Sequence, residues 1–241
     1  MSPVYESVER HSTTDSVVDA IQLMIVQRKL NPGDALPAER ELAPQLAVSR
    51  NVLRESLGIL GQRGLITSRQ GMGTFVSAPS GEQAREAMQL LLKMRRVDLV
   101  ELCDARLLIE PELAARAAER ATSADLDRLR LSYDVLAAAR DDPETHVQAD
   151  IAFHGTIAEL SGHTVLKALV DAVREPVARG MVVGATVPRA IDHSDEQHEA
   201  ILGAIMSGDP EGARVAMTRH LEYVRDYLAS HEVHDATWGG R

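Results

Sequence analysis

Between Ser49 and Leu60 the chain sets leucines and arginines on opposite sides of one helix, and no other stretch limits the possible folds as much. Leu53, Leu57 and Leu60 recur at i, i+4 and i+7, which makes one apolar face. Ser49 is a good N-cap, and Val48 before it is placed to pack on Leu53 as a hydrophobic staple. Arg50 and Arg54 share the opposite face one turn apart, with Asn51 beside them. Such a helix needs a small core behind it, and it gathers its cations at its N-terminal end.

The flanking sequence supplies that core. Thr13–Lys29 reads as a helix with Val17, Val18, Ile21, Met24 and Ile25 inward, ended by Asn-Pro-Gly-Asp at 31–34. Pro37–Ala47 reads as a second, short helix, in which Pro44 costs ~3 kcal/mol if it falls in the interior. Gly58 and Gly61 lower the propensity of the third helix by about 1 kcal/mol each. Leu65–Arg69 and Thr74–Ser77 are β-prone runs joined by Gln-Gly-Met-Gly, a hairpin. Three helices and a hairpin make a winged helix-turn-helix, whose third helix enters the major groove while the hairpin tip meets the neighbouring backbone. There an arginine offers a fork to guanine and an asparagine a similar fit to adenine. Gly71 and Gly73 permit a tight wing tip that lies close to phosphates.

Charge agrees only when it is read by segment. The net charge of −10 argues at first against nucleic acid, yet residues 1–77 hold 8 basic and 8 acidic side chains, so the remainder carries all of it. From Val48 to Val76 four arginines face Glu55 alone. An acidic body with a locally basic head suits a polyanion bound by the head, although a solvated helical face accounts for the arginines nearly as well. The residues from Met1 to Ser16 contain no hydrophobic signal segment, and no apolar run reaches membrane-spanning length. Cys103 is the single cysteine, which excludes an intrachain disulfide and suits a reducing compartment. The expectation is a soluble cytoplasmic protein with no membrane partner.

From Leu36 to Val76 the chain reads LPAERELAPQLAVSRNVLRESLGILGQRGLITSRQGMGTFV. This closely resembles the DNA-binding signature of the GntR transcriptional regulators, with its three blocks in order and at the family's spacing. The resemblance implies DNA contacts from Arg40, Ser49, Arg50, Asn51, Arg54, Gln70 and Gly71. It also implies a homodimer on a near-palindromic double-stranded operator, since one winged helix offers few contacts and two-fold symmetry doubles them.

Residues 79–83 read as a linker, 84–231 as a second, all-helical domain and 232–241 as a tail. Helical patterning of the second domain breaks at 140–145, 160–164, 187–195 and 207–212. The fold class is therefore mainly α, with residues 1–78 as the winged helix-turn-helix and an antiparallel bundle of six to seven helices after it. Asp150 and His154 stack at i and i+4 on one helix face. His198 and His220 stand on two further helical segments with apolar neighbours that turn them inward. One carboxylate and three imidazoles suit a divalent transition metal. An Asp–His pair at this spacing is also an ordinary local ion pair.

The order and spacing resemble the FCD domain of the FadR branch, whose metal-binding members use an Asp and three His. That resemblance implies one metal per chain, zinc first, with nickel, manganese or iron as alternatives. His146, His163, His193, His231 and His234 match no ligand position and read as surface or loop residues. Arg106 and Glu110 form a second polar pair on an apolar helix. This pair is either an i, i+4 ion pair or, as the family implies for Arg106, a carboxylate-binding group facing an effector.

The reading is a ligand-responsive regulator, a repressor, that senses a small organic acid and is not an enzyme. Two alternatives use the same cluster: a metal-dependent hydrolase with metal-bound water as nucleophile, and a direct sensor of the metal.

Overall fold

The structure is a computed structural model, and it describes residues 12–78, 80–184 and 190–230. Among these it contains ten helices and one hairpin, and the chain divides between Gln83 and Ala84 into two compact units.

In the first unit α1 spans Thr13–Val26, capped by the Ser12 hydroxyl on the amide of Asp15. It stops short of the expected Lys29 because Arg28 turns to a φ of 56°, where the amide of Lys29 returns to the Met24 carbonyl at 2.9 Å. The second helix, α2, is Glu39–Gln45 and not Pro37–Ala47, since Ala47 has a φ of 53° and closes the turn. Pro44 stands in its last turn, where little helix remains to be interrupted.

The third helix, α3, is Arg50–Gln62, and the Ser49 hydroxyl accepts the Val52 amide at 3.3 Å. Leu53 and Leu60 are fully buried against Val17, Val18 and Ile21 of α1, each contributing about 1.5–3 kcal/mol. The buried Ser56 hydroxyl reaches the Thr14 carbonyl at 3.1 Å and ties α3 to α1. Strands β1 (Ile66–Arg69) and β2 (Gly73–Val76) pair antiparallel from Ile66↔Val76 to Arg69↔Gly73. Residues 33–36 add a third edge, with the Leu36 amide on the Thr74 carbonyl at 2.8 Å. Three helices and a hairpin wing are thus present as the sequence requires.

The second unit is helical throughout its described residues. Its helices are α4 (Glu82–Arg95), α5 (Leu99–Arg120), α6 (Ser123–Ala138), α7 (Pro143–Leu160), α8 (Thr164–Gly184), α9 (Ala190–Met206) and α10 (Pro210–Ser230). Helix α4 starts inside the stretch expected to be a linker, and α9 starts inside the expected break at 187–195. Caps set several of the boundaries. Asp98 accepts the Val100 amide at 2.8 Å, Thr122 and Asp125 form a capping box, and Pro143 occupies the first turn of α7.

Helix α5 packs against α7, α8, α9 and α10 and so forms the axis of the unit. The main core joins Ala114, Leu129, Phe153, Ile201, Met217 and Leu221, with small alanines letting the helices approach closely. No helix among the described residues is long and apolar enough to cross a membrane.

Candidate metal centre and nucleic-acid interface

Asp150, His154, His198 and His220 converge from α7, α9 and α10, and all are buried. One ligand atom from each lies within 4.8 Å of the others. His198 Nε2 stands 2.9 Å from Asp150 Oδ1, and His154 Nε2 lies 3.8 Å from the same oxygen and 3.4 Å from His198 Nε2. Donors about 2.1 Å from one shared cation are separated by roughly 3.0–3.4 Å, which these spacings approach. Although His198 is near, Asp150 Oδ1 lacks an aligned hydrogen bond, and His220 Nε2 has no partner. Buried lone pairs of this kind are costly unless something answers them. A cation placed among them would satisfy both.

The partners of the rings fix their tautomers. His154 Nδ1 donates to Glu110 Oε2 at 2.6 Å, which leaves its Nε2 lone pair facing the cluster. His220 Nδ1 donates to Gln197 Oε1 at 3.2 Å with the same result. Ser194 Oγ approaches His198 Nδ1 at 3.5 Å. Phe153 fills the space behind, edge-on to the His154 and His198 rings at 5.9 and 5.5 Å.

Electrostatics agree with the tautomers. Burial holds the His154 and His220 pKa values below that of free imidazole, and for His220 the neighbouring rings of His198 and His154 press the same way. Both are therefore neutral, as a metal ligand must be. Burial raises the Asp150 pKa, and the surrounding imidazoles, His154 first and each when protonated, outweigh that and bring it well below the ordinary carboxylate value.

Arg106 is also buried in this neighbourhood, where Glu110 is its partner. Its Nε and Nη2 contact Glu110 at 2.5 and 3.4 Å, and Nη2 lies 3.4 Å from His154 Nδ1. Burial opposes charge on Glu110, yet Arg106 and then His154 outweigh it and keep the carboxylate ionised. The pair is thus an i, i+4 ion pair that orients a cluster imidazole from behind.

Among the other histidines, His146 corrects the sequence reading. It is buried on α7 one turn before Asp150, because the helix already begins at Pro143, where the Asp-Pro sequence suggested a loop. Its Nδ1 has no hydrogen-bond partner. His163 does lie in a loop, where its Nδ1 accepts the Leu166 amide at 3.3 Å. His193 falls on α9, while His231 and His234 lie outside the described residues.

Sequence reasoning missed Gln197, the role of Glu110 behind His154, and Arg174. For Arg174 a signal existed, since it falls between Val170 and Val177 on the apolar face of α8.

In the first unit Arg50, Asn51 and Arg54 are exposed on α3, and Gln70 and Gly71 are exposed at the hairpin turn, where Gly71 has a φ of 73°. Arg40 is exposed on α2 beside Glu41. Arg54 is held by Glu39, Nη2 to Oε2 at 2.7 Å and Nε to Oε1 at 3.3 Å. Ser49 serves first as the α3 cap, so its hydroxyl is already engaged.

The chain matches two family profiles: "Bacterial regulatory proteins, gntR family" over residues 13–76 and "FCD domain" over residues 101–223. It is 36% identical over 219 residues to an Escherichia coli protein named for regulation of the L-lactate dehydrogenase operon, covering 88% of this chain and 84% of that one. It is 32% identical over 213 residues to the Bacillus subtilis transcriptional regulator LutR, covering 86% and 97%. The solved structure of a Streptococcus agalactiae GntR protein superposes with a TM-score of 0.71 at 28% identity, over 88% of this chain and 99% of that one. These relatives are regulators and not enzymes, which removes the hydrolase alternative. The chain belongs to the gntR family of bacterial regulatory proteins, and it is a DNA-binding transcriptional regulator with an FCD domain.

Proposed function

We propose that this regulator is a repressor that binds a near-palindromic operator as a homodimer and is released by a small carboxylate metabolite sensed beside a bound divalent metal. The observation that carries the reading is the buried cluster of Asp150, His154, His198 and His220, in which Asp150 Oδ1 and His220 Nε2 have no hydrogen-bond partner. Zinc suits three imidazoles and one carboxylate best, with nickel, manganese or iron as alternatives. When bound, the metal supplies Lewis-acid affinity for the oxygen donors of an anion. Burial keeps the His154 and His220 imidazoles neutral, while Glu110 and Gln197 aim them. A relative named for the L-lactate dehydrogenase operon supports a hydroxy acid as the effector class. The need to reach operator DNA places the protein in the cytoplasm.

On the operator, Arg50, Asn51 and Arg54 read base edges, while Arg40, Ser49, Gln70 and Gly71 fix the backbone. The C-terminal unit supplies the dimer contacts; Leu131 with Val135 on α6 and Val165 with Leu169 on α8 are exposed apolar pairs one helical turn apart. An effector with about a hundredfold preference for one dimer geometry supplies about 2.7 kcal/mol of coupling.

The test is a gel-shift titration on the native operator at fixed salt, with zinc content measured on the same protein. Arg50→Ala and Arg54→Ala each weaken specific binding by about 1–3 kcal/mol. L-Lactate or a related organic acid lowers the wild-type affinity, and chelation abolishes that response. Wild-type affinity in both arginine variants overturns the DNA-reading assignment, and a response indifferent to chelation overturns the metal's role.

A further inference from the structure

Arg174 is a buried cation that the cluster leaves unused. It lies on the inward face of α8 with 7% of its surface exposed. Its Nη1 meets Asp171 Oδ1 at 3.1 Å, and Asp171 is also held by Lys167. The other edge of the guanidinium, Nε and Nη2, is buried without a hydrogen-bond partner. Those two atoms form the fork that grips a carboxylate through two parallel hydrogen bonds. On Arg106 the same fork is filled by Glu110. Of two buried arginines in one neighbourhood, one is therefore closed and the other open.

Two observations put Arg174 beside the metal cluster. Burial disfavours its charge, Glu110, Asp171 and Asp150 favour it, and Arg106 opposes it, so its surroundings are those of the cluster. Gly155, the residue after His154, faces it so closely that a Cβ there would lie 2.9 Å from Nη1. The missing side chain at Gly155 gives the guanidinium its place.

We propose that Arg174 is the carboxylate receptor of the effector site. It grips, through Nε and Nη2, a small organic acid whose other oxygen donors reach the metal held by Asp150, His154, His198 and His220. Charge calls for an anion here. Glu110, Asp150 and Asp171 balance Arg106, Arg174 and Lys167, so a divalent cation leaves a buried positive surplus that an anion reduces. Arg106 then acts as a positioning residue through Glu110 and His154, and Arg174 touches the ligand. This assignment rests on the metal-and-effector reading above and goes beyond it in naming the group that selects the ligand.

Calorimetric titration of zinc-loaded, full-length protein with L-lactate, glycolate, pyruvate, malonate and succinate tests it, with zinc measured on every sample. The tightest-binding acid is then titrated into three variants. Arg174→Gln weakens it at least tenfold at unchanged zinc content. Arg174→Lys, which keeps the charge and loses the fork, falls between. Gly155→Ala, whose methyl displaces only the flexible end of Arg174, weakens it in the same direction and carries the test if Arg174→Gln fails to fold. Binding within twofold of wild type in a folded, zinc-loaded Arg174→Gln or Gly155→Ala protein overturns the receptor assignment and leaves the effector reading standing. Loss of zinc in both variants overturns it too, by making Arg174 a support of the metal ligands. If none of the five acids binds the wild type, the carboxylate-effector reading falls, and this inference with it.

Discussion

His220 and His146 are both buried, and both keep a ring nitrogen without a partner, yet they answer to different surroundings. His220 Nε2 shares its space with an ionised carboxylate and two further imidazoles, whereas His146 lies one turn of α7 before the cluster and offers no atom to it. His220→Ala, or Asp150→Ala, therefore empties the metal site, while His146→Ala retains close to one equivalent of zinc by elemental analysis. Full zinc in His220→Ala would locate the metal elsewhere. Cys103 shows the opposite outcome of burial. Its thiol is fully enclosed beside Leu99 and Leu102, and burial pushes its pKa up to about 11. The unfolded thiol ionises near 8.5, so the folded state holds the extra proton and stability falls as pH rises from about 9 towards 11. At pH 8 a disulfide reagent labels Cys103 only in denaturant, and rapid native labelling would show that the thiol is accessible.

At the scale of elements, periodicity and punctuation located the helices of the first unit and the starts of α7 to α10 but not the boundaries between α4, α5 and α6, and local backbone geometry moved the ends. Arg28 and Ala47 adopt left-handed conformations that terminate α1 and α2 early, and nothing in an arginine or an alanine announces that. Pro143 opened a helix where a break was expected, because proline suits a first turn as well as a loop. The glycines of α3 are a further case. Gly58 is exposed with nothing within 4 Å of the position a Cβ would take, so no packing constraint requires glycine there. Gly58→Ala accordingly stabilises the first unit by about 0.5–1 kcal/mol, read as a rise of a few degrees in its melting temperature. A fall would reveal a role in the helix that its surroundings do not show.

For the whole molecule, the cluster draws one or two side chains from each of α7, α9 and α10, so a metal held there would also stabilise their packing. Zinc at a hundred times its dissociation constant adds about 2.7 kcal/mol to the second unit. Chelation therefore lowers the melting temperature of the second unit by several degrees, with the first unit unchanged, in a calorimetric scan that separates two transitions. A single unshifted trace would mean that the cluster binds no metal.

The sequence by itself determined the winged head and the helical body, because helical period and cap chemistry are local properties that survive without coordinates; the four residues of the cluster came from the family resemblance. Tertiary structure decided what lies around that cluster. Glu110 behind His154, Gln197 behind His220 and Arg106 close to His154 depend on side chains 23–48 residues apart meeting in one core. Their spacing along the chain carries no record of that meeting. It arises only when α5, α7, α8, α9 and α10 pack and water is excluded, and burial then makes each unanswered polar atom costly.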